Sequence, residues 1–150
     1  MKMKKLNRKG FTLVELLAVI IILAVVVGIT IPTILTTTAK AKEKAFDTAA
    51  ATAADWFDRQ YQSYLIGNTD LSQYDTEFVK LFIDTTNNTI KQTSVKIDAT
   101  DLIQNAGLST DNVKKMEVTF NSYGRSCVII TATDGGDYPS GKTAQGGNCD

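Results

Sequence analysis

No histidine occurs anywhere in the chain, and the two cysteines, Cys127 and Cys149, both fall in the last quarter of its 150 residues. The side chain most used as a general base and as a nitrogen ligand for zinc is therefore missing, and a zinc site made by one chain would need carboxylates beside two thiolates. There is no G-x-S-x-G elbow and no P-loop, and no carboxylate pair has a spacing that fixes a catalytic geometry. The sequence is read as a non-enzyme with no cofactor. Proline is scarce as well, with only Pro32 and Pro139, so a long helix meets just one breaker in the first half of the chain.

Acidic residues are absent from the first ten positions, whereas Lys2, Lys4, Lys5, Arg8 and Lys9 all precede Gly10. The formal net charge of zero hides this asymmetry. Of 16 Lys and Arg, five lie before Gly10, leaving 11 against 16 Asp and Glu in a chain that begins at Phe11. That acidic balance gives no reason to expect nucleic-acid binding by this chain alone. Lys91, Lys96, Lys114 and Lys115 are read as scattered solvated charges rather than a binding patch.

Charge is next missing from a long run. Phe11 to Ile31 is 21 residues with Glu15 as the single ionisable side chain. At ~1.5 Å of rise per residue this run spans roughly 31 Å, close to the hydrocarbon thickness of a bilayer. The basic cluster before it orients the segment with residues 1–10 on the cytoplasmic side and the remainder outside. Pro32 to Thr38 offers no A-x-A cut, which argues against a cleaved secretory signal. The outward location favours a Cys127–Cys149 disulfide, with two free thiols as the alternative. Closing that loop stabilises by ~3 kcal/mol in the chain-entropy model.

Beyond Pro32 the pattern is helical. Leu35, Ala39, Phe46, Ala49, Ala53, Phe57, Tyr61 and Tyr64 recur on one face, and Lys40, Lys42, Glu43, Asp55, Asp58 and Arg59 fall mainly on the others. One helix is expected from about Thr12 to Leu65, stopped by Gly67-Asn68. Pro32 lacks the N–H that would bond the Gly28 carbonyl, and Gly28 loosens the same turn. This predicts either a tolerated kink or a place where the helix unwinds when subunits pack.

Asp75-Thr76 caps a short helix carrying Phe78, Leu81 and Phe82, or that stretch is a strand. Asn87-Asn88-Thr89 reads as a turn more than a glycosylation acceptor. Val95 to Ile97 is a strand candidate, followed by a small helix over 101–106 with Thr100 as cap and Gly107 as stop. Met116, Val118 and Phe120 alternate with polar residues, Ser122-Tyr123-Gly124-Arg125 turns the chain, and Ser126 to Thr133 runs back as a hairpin. From Asp134 onward the tail carries five glycines and little apolar surface, so burial alone is not expected to order it. Asp134-Gly135-Gly136-Asp137 is a solvated turn before it is a calcium loop.

Glu15 is the exceptional residue, because a carboxylate inside an apolar helix calls for a neutralising partner. No Lys or Arg lies between Phe11 and Ile31. A cut after Gly10, where the missing side chain gives a peptidase access, would create one in the Phe11 amine, either within one helix or between staggered helices.

Lys9-Gly10-Phe11-Thr12-Leu13-Val14-Glu15-Leu16, with Pro32 closing the apolar run, resembles the class III signal sequence of type IV pilins and pseudopilins over roughly residues 4–40. The resemblance implies cleavage between Gly10 and Phe11 by a prepilin peptidase that also N-methylates Phe11. It implies pairing of Glu15 with the Phe11 amine of a neighbouring subunit, and loss of helical form near Gly28 to Pro32 in the filament. The implied partners are further copies in a helical homopolymer, minor pilins, an assembly ATPase and a platform protein. The implied locations are the bacterial cytoplasmic membrane before assembly and a surface filament after it.

The implied fold is α+β, a long N-terminal helix packed on a small antiparallel sheet with a C-terminal loop closed by a disulfide. The expected divisions are a leader at 1–10, an apolar helix at 11–32, its amphipathic continuation at 33–66 and a head at 67–150. Two other roles share the topology: a pseudopilin of secretion or DNA uptake, and a tethered binding domain that keeps residues 1–10.

Overall fold

The computed structural model describes residues 11–67, 70–87, 89–91 and 95–149. Residues 1–10, with Gly10, lie outside the described residues, as do Asn68 and Asn88 of the turns read above. The chain divides into two compact units at Thr38 and Ala39.

Helix α1, Leu13–Leu65, is assigned without a break and has Pro32 inside it. The single helix expected from about Thr12 to Leu65 is therefore present, with Pro32 carried inside it. Gly28 has open space where a Cβ would stand. Threonine hydroxyls return to the preceding turn on both sides of Pro32: Thr30 donates to the Val26 carbonyl at 3.0 Å and Thr37 to the Thr33 carbonyl at 2.8 Å. Such back-bonding gives each hydroxyl an acceptor within the helix itself.

In the unit from Ala39 onward, α1 buries Phe46, Ala50, Ala53, Ala54 and Phe57. The buried face therefore turns slightly from the expected one, taking Ala50 and Ala54 in place of full burial at Ala49. After Gly67, which ends the helix with φ +92°, the chain forms α2, Thr76–Phe82, and a two-residue hairpin of β1, Ile83–Asp84, with β2, Thr89–Ile90. Asp75 caps α2 through its carboxylate, which accepts from the N–H groups of Glu77 and Phe78 at 2.9 and 3.3 Å. The helix alternative for this stretch is the one realised, because Phe78 and Phe82 both reach the core.

The main sheet has four antiparallel strands in the order β3-β4-β5-β6: Ile97–Asp98, Val113–Phe120, Ser126–Ala132 and Thr143–Gly147. The α+β architecture, the hairpin of β4 with β5 and the C-terminal disulfide agree with the sequence reading. Alternation is complete in β5, where Ser126, Val128, Ile130 and Ala132 are buried. In β4 a bulge between Val113 and Lys115 shifts the register. Phe57 lies at the centre of an aromatic cluster, with Phe82 at 5.6 Å and Phe78 and Phe120 both at 6.4 Å between ring centroids.

Three expectations change. The helix expected over 101–106 shortens to a 3-10 turn, Thr100–Leu102. Its start is held by Asp98, whose carboxylate accepts from the Thr100 N–H at 3.0 Å and hydroxyl at 2.5 Å. The strand candidate at Val95 to Ile97 moves to Ile97–Asp98, with Val95 exposed. The tail contains a strand, β6, with only Ala144 as a buried apolar side chain. Backbone pairing with β5 and close approach to α1 order it where side-chain burial would not.

Candidate functional site

The first turn of α1 is built by Thr12 and Glu15. The Thr12 N–H donates to Glu15 Oε2 at 2.8 Å, its hydroxyl donates to the same oxygen at 2.9 Å, and the Glu15 N–H donates to Thr12 Oγ1 at 3.3 Å. This is a reciprocal capping box, with Thr12 as N-cap and Glu15 three residues on. Its signal in the sequence is the T-x-x-E spacing of Thr12 and Glu15. The Glu15 carboxylate thus has a local partner, and its charge stands at the positive end of the helix dipole.

Phe11 precedes this cap and is 87% exposed. From Leu13 to Leu35 the large apolar side chains are likewise exposed, and none of the apolar window of α1 is buried within the chain. The helix is long and apolar enough to cross a membrane. Such an uncovered apolar surface on an N-terminal helix is consistent with membrane anchoring.

The unit from Ala39 onward holds the second expected site. Cys127 and Cys149 are joined, with their Cα atoms 4.7 Å apart. Between them the chain returns to α1 through two contacts upstream of β6. Tyr138 packs on Phe46 at 4.9 Å between ring centroids, and Lys142 forms an ion pair with Glu43. The Lys142 hydrogen bond, and then its charge, hold the Glu43 carboxyl below the usual carboxylate range.

At the turn read as a calcium alternative, the two carboxylates face different partners. Asp134 accepts from Ser140 and from Lys114 Nζ, and those contacts, Ser140 first, lower its pKa. Asp137 accepts from the Asn112 side-chain amide at 3.2 Å. Among the described residues no group of three or more potential metal ligands comes together.

Residues 5–31 match the family model described as the prokaryotic N-terminal methylation motif, the class III signal sequence of type IV pilins. The matched span contains Gly10, Phe11, Glu15 and Gly28 and ends beside Pro32. With the exposed apolar helix, it supports a type IV pilin-like or pseudopilin-like precursor, consistent with membrane anchoring before assembly. No curated protein and no solved structure matches the chain.

Proposed function

We propose that the chain is a structural subunit of a type IV pilus filament, cut between Gly10 and Phe11, N-methylated on Phe11 and polymerised through α1. The observation that carries this reading is the methylation motif on a helix whose apolar surface is uncovered in the chain. Such a helix is held by lipid before assembly and by other copies of itself afterwards. The leader is then residues 1–10, the head lies outside the cytoplasmic membrane, and a peptidase, an ATPase, a platform protein and minor pilins act on the subunit.

Glu15 has two states in this reading. In the free subunit Thr12 satisfies one carboxylate oxygen, Oε2. In the filament the carboxylate pairs with the Phe11 amine of a neighbour, which removes the cost of carrying an unpaired charge into the bundle. Gly28 and Pro32 mark the turn where the helix loosens as subunits pack.

The direct test is the intact mass and N-terminal residue of the chain in filaments sheared from producing cells. Chains beginning at methylated Phe11 are the expected result. A surface form that retains residues 1–10 would leave a tethered domain instead. Processed chains confined to a short periplasmic or envelope-bound polymer would assign a pseudopilin.

A further inference from the structure

Alternation along the strands leaves one face of the four-stranded sheet turned away from the core. Thr119 stands between buried Val118 and Phe120, Cys127 and Ile129 flank buried Val128, and Gln145 lies between buried Ala144 and Gly146. The register sets Thr119 opposite Cys127 and Ile129 opposite Gln145. Lys96 enters beside them, one residue before Ile97 pairs with Val118. A cleft of about 410 Å³ opens on this face, bordered by these side chains, by Ser122 and by the Cys127–Cys149 disulfide. That volume is in the range that receives a small molecule.

Charge narrows what the cleft can hold. Among the described residues Lys96 is its one charged side chain, and it forms no ion pair. Asp98 and Glu117, which share this face, are taken up by Thr100 and Lys115. With no carboxylate in the lining, a metal ion or an ammonium group has no counter-charge there, and an anion fits. A flat base that stacks has no platform, because the Phe120 ring turns inward to Tyr61 and Phe82.

The rest of the lining is polar and uncharged around an apolar base. Among the described residues the hydroxyls of Thr119 and Ser122 and the amide of Gln145 make no hydrogen bond within the chain. Donors and acceptors therefore stand ready for several hydroxyl groups. Ile129 and Cys127, half-buried on the central strand β5, lie between these polar rows and suit the C–H face of a sugar ring.

We propose that this cleft binds a carboxylate-bearing sugar, with Lys96 on the carboxylate, Thr119, Ser122 and Gln145 on the hydroxyls, and Ile129 with the disulfide beneath the ring. A phosphate dianion fits less well, since a single lysine leaves part of its charge unmatched. The site lies wholly within the unit from Ala39 onward and does not depend on cleavage after Gly10 or on assembly.

The test follows amide shifts by NMR in the full, isotope-labelled chain, held in micelles of a detergent free of sugar and phosphate. The probes are the methyl glycosides of glucuronic, galacturonic and sialic acid, with methyl glucoside as the neutral control and inorganic phosphate as the rival anion. At least one acidic sugar is expected to move the amides of Thr119, Ile129 and Gln145 at ~1–10 mM and to bind about ten-fold more tightly than methyl glucoside. Lys96→Met should abolish that preference while the amides of the core strands keep their positions. Gln145→Ala should weaken acidic and neutral sugars alike. No shift at the cleft with any of the three acids, equal binding of methyl glucoside, or tighter binding of phosphate would overturn the proposal.

Discussion

Asp58, on the long helix, accepts hydrogen bonds from both the backbone N–H and the hydroxyl of Ser126 at 2.7 and 2.6 Å, across a sequence separation of 68 residues. Ser126 is fully buried at the start of β5, and its hydroxyl also lies 3.0 Å from the Ala54 carbonyl. Arg125 adds an ion pair to the other Asp58 oxygen at 3.2 Å. One carboxylate thus ties the turn between β4 and β5 to α1.

Replacing Asp58 with Ala leaves the buried Ser126 N–H without its acceptor, which costs about 1–3 kcal/mol. Arg125→Ala is expected to cost under about 1 kcal/mol, because the arginine side chain is more than half exposed and its pair is screened. Urea unfolding of both variants checks the order. An Arg125 loss equal to that of Asp58 would contradict this account.

Gly146 sets the distance between β6 and the helix. A Cβ there would stand 2.1 Å from the Ala50 carbonyl oxygen and 2.2 Å from its carbon, so backbone rather than a movable side chain would have to give way. Gly146→Ala is expected to destabilise the head by at least roughly 1–3 kcal/mol. Gln145→Ala, on the exposed side of the same strand, should stay within about 0.5 kcal/mol. Thermal unfolding of the two side by side distinguishes them.

Removing the disulfide by Cys127→Ser with Cys149→Ser should cost ~3 kcal/mol, since the bond closes a loop across a separation of 22 residues. The structure adds where the loss shows first. β6 has a ladder to β5 but little buried apolar surface, so hydrogen exchange should accelerate at Ala144 and Gly146 before Val118 or Val128. Uniform acceleration across the sheet would show that β6 and the hairpin unfold together.

Acid should weaken the head from about pH 4 downward. Glu43, Asp98 and Asp134 all have lowered pKa values, through Lys142, through Thr100, and through Ser140 with Lys114. A carboxylate with a depressed folded pKa contributes stability that is fully present above its unfolded value, about 4. That contribution is lost as pH falls through the folded value. The melting temperature is expected to be flat between pH 5.5 and 7 in this respect and to fall below about pH 4. Lys142→Met should remove the Glu43 part of the slope.

Long-period patterns made much of the chain legible in its sequence. The apolar run, its basic flank and Glu15 stand out because bilayer thickness and charge cost act on composition alone. The β4–β5 hairpin was legible because one side of it is buried and the alternation is regular. The 3-10 turn at Thr100 and the strand β3 fall a few residues from where local pattern puts them, because Ala99 rather than Thr100 is the N-cap and the Asp98 carboxylate takes up the Thr100 N–H and hydroxyl. The capping box at Thr12 was legible in its T-x-x-E spacing.

By itself the sequence determined that this protein has an apolar helix, an amphipathic continuation and a hairpin, since each follows from local periodicity, while the methylation motif is read from its resemblance to a known family signature. Only the tertiary structure decided that Asp58 faces a buried Ser126 rather than water. Only it decided that the alanines at 50 and 54 serve close approach rather than helix propensity, and that a glycine-rich tail becomes a strand. Those outcomes depend on groups distant in sequence meeting backbone to backbone, where hydrogen-bond satisfaction and steric fit decide and local pattern carries no signal.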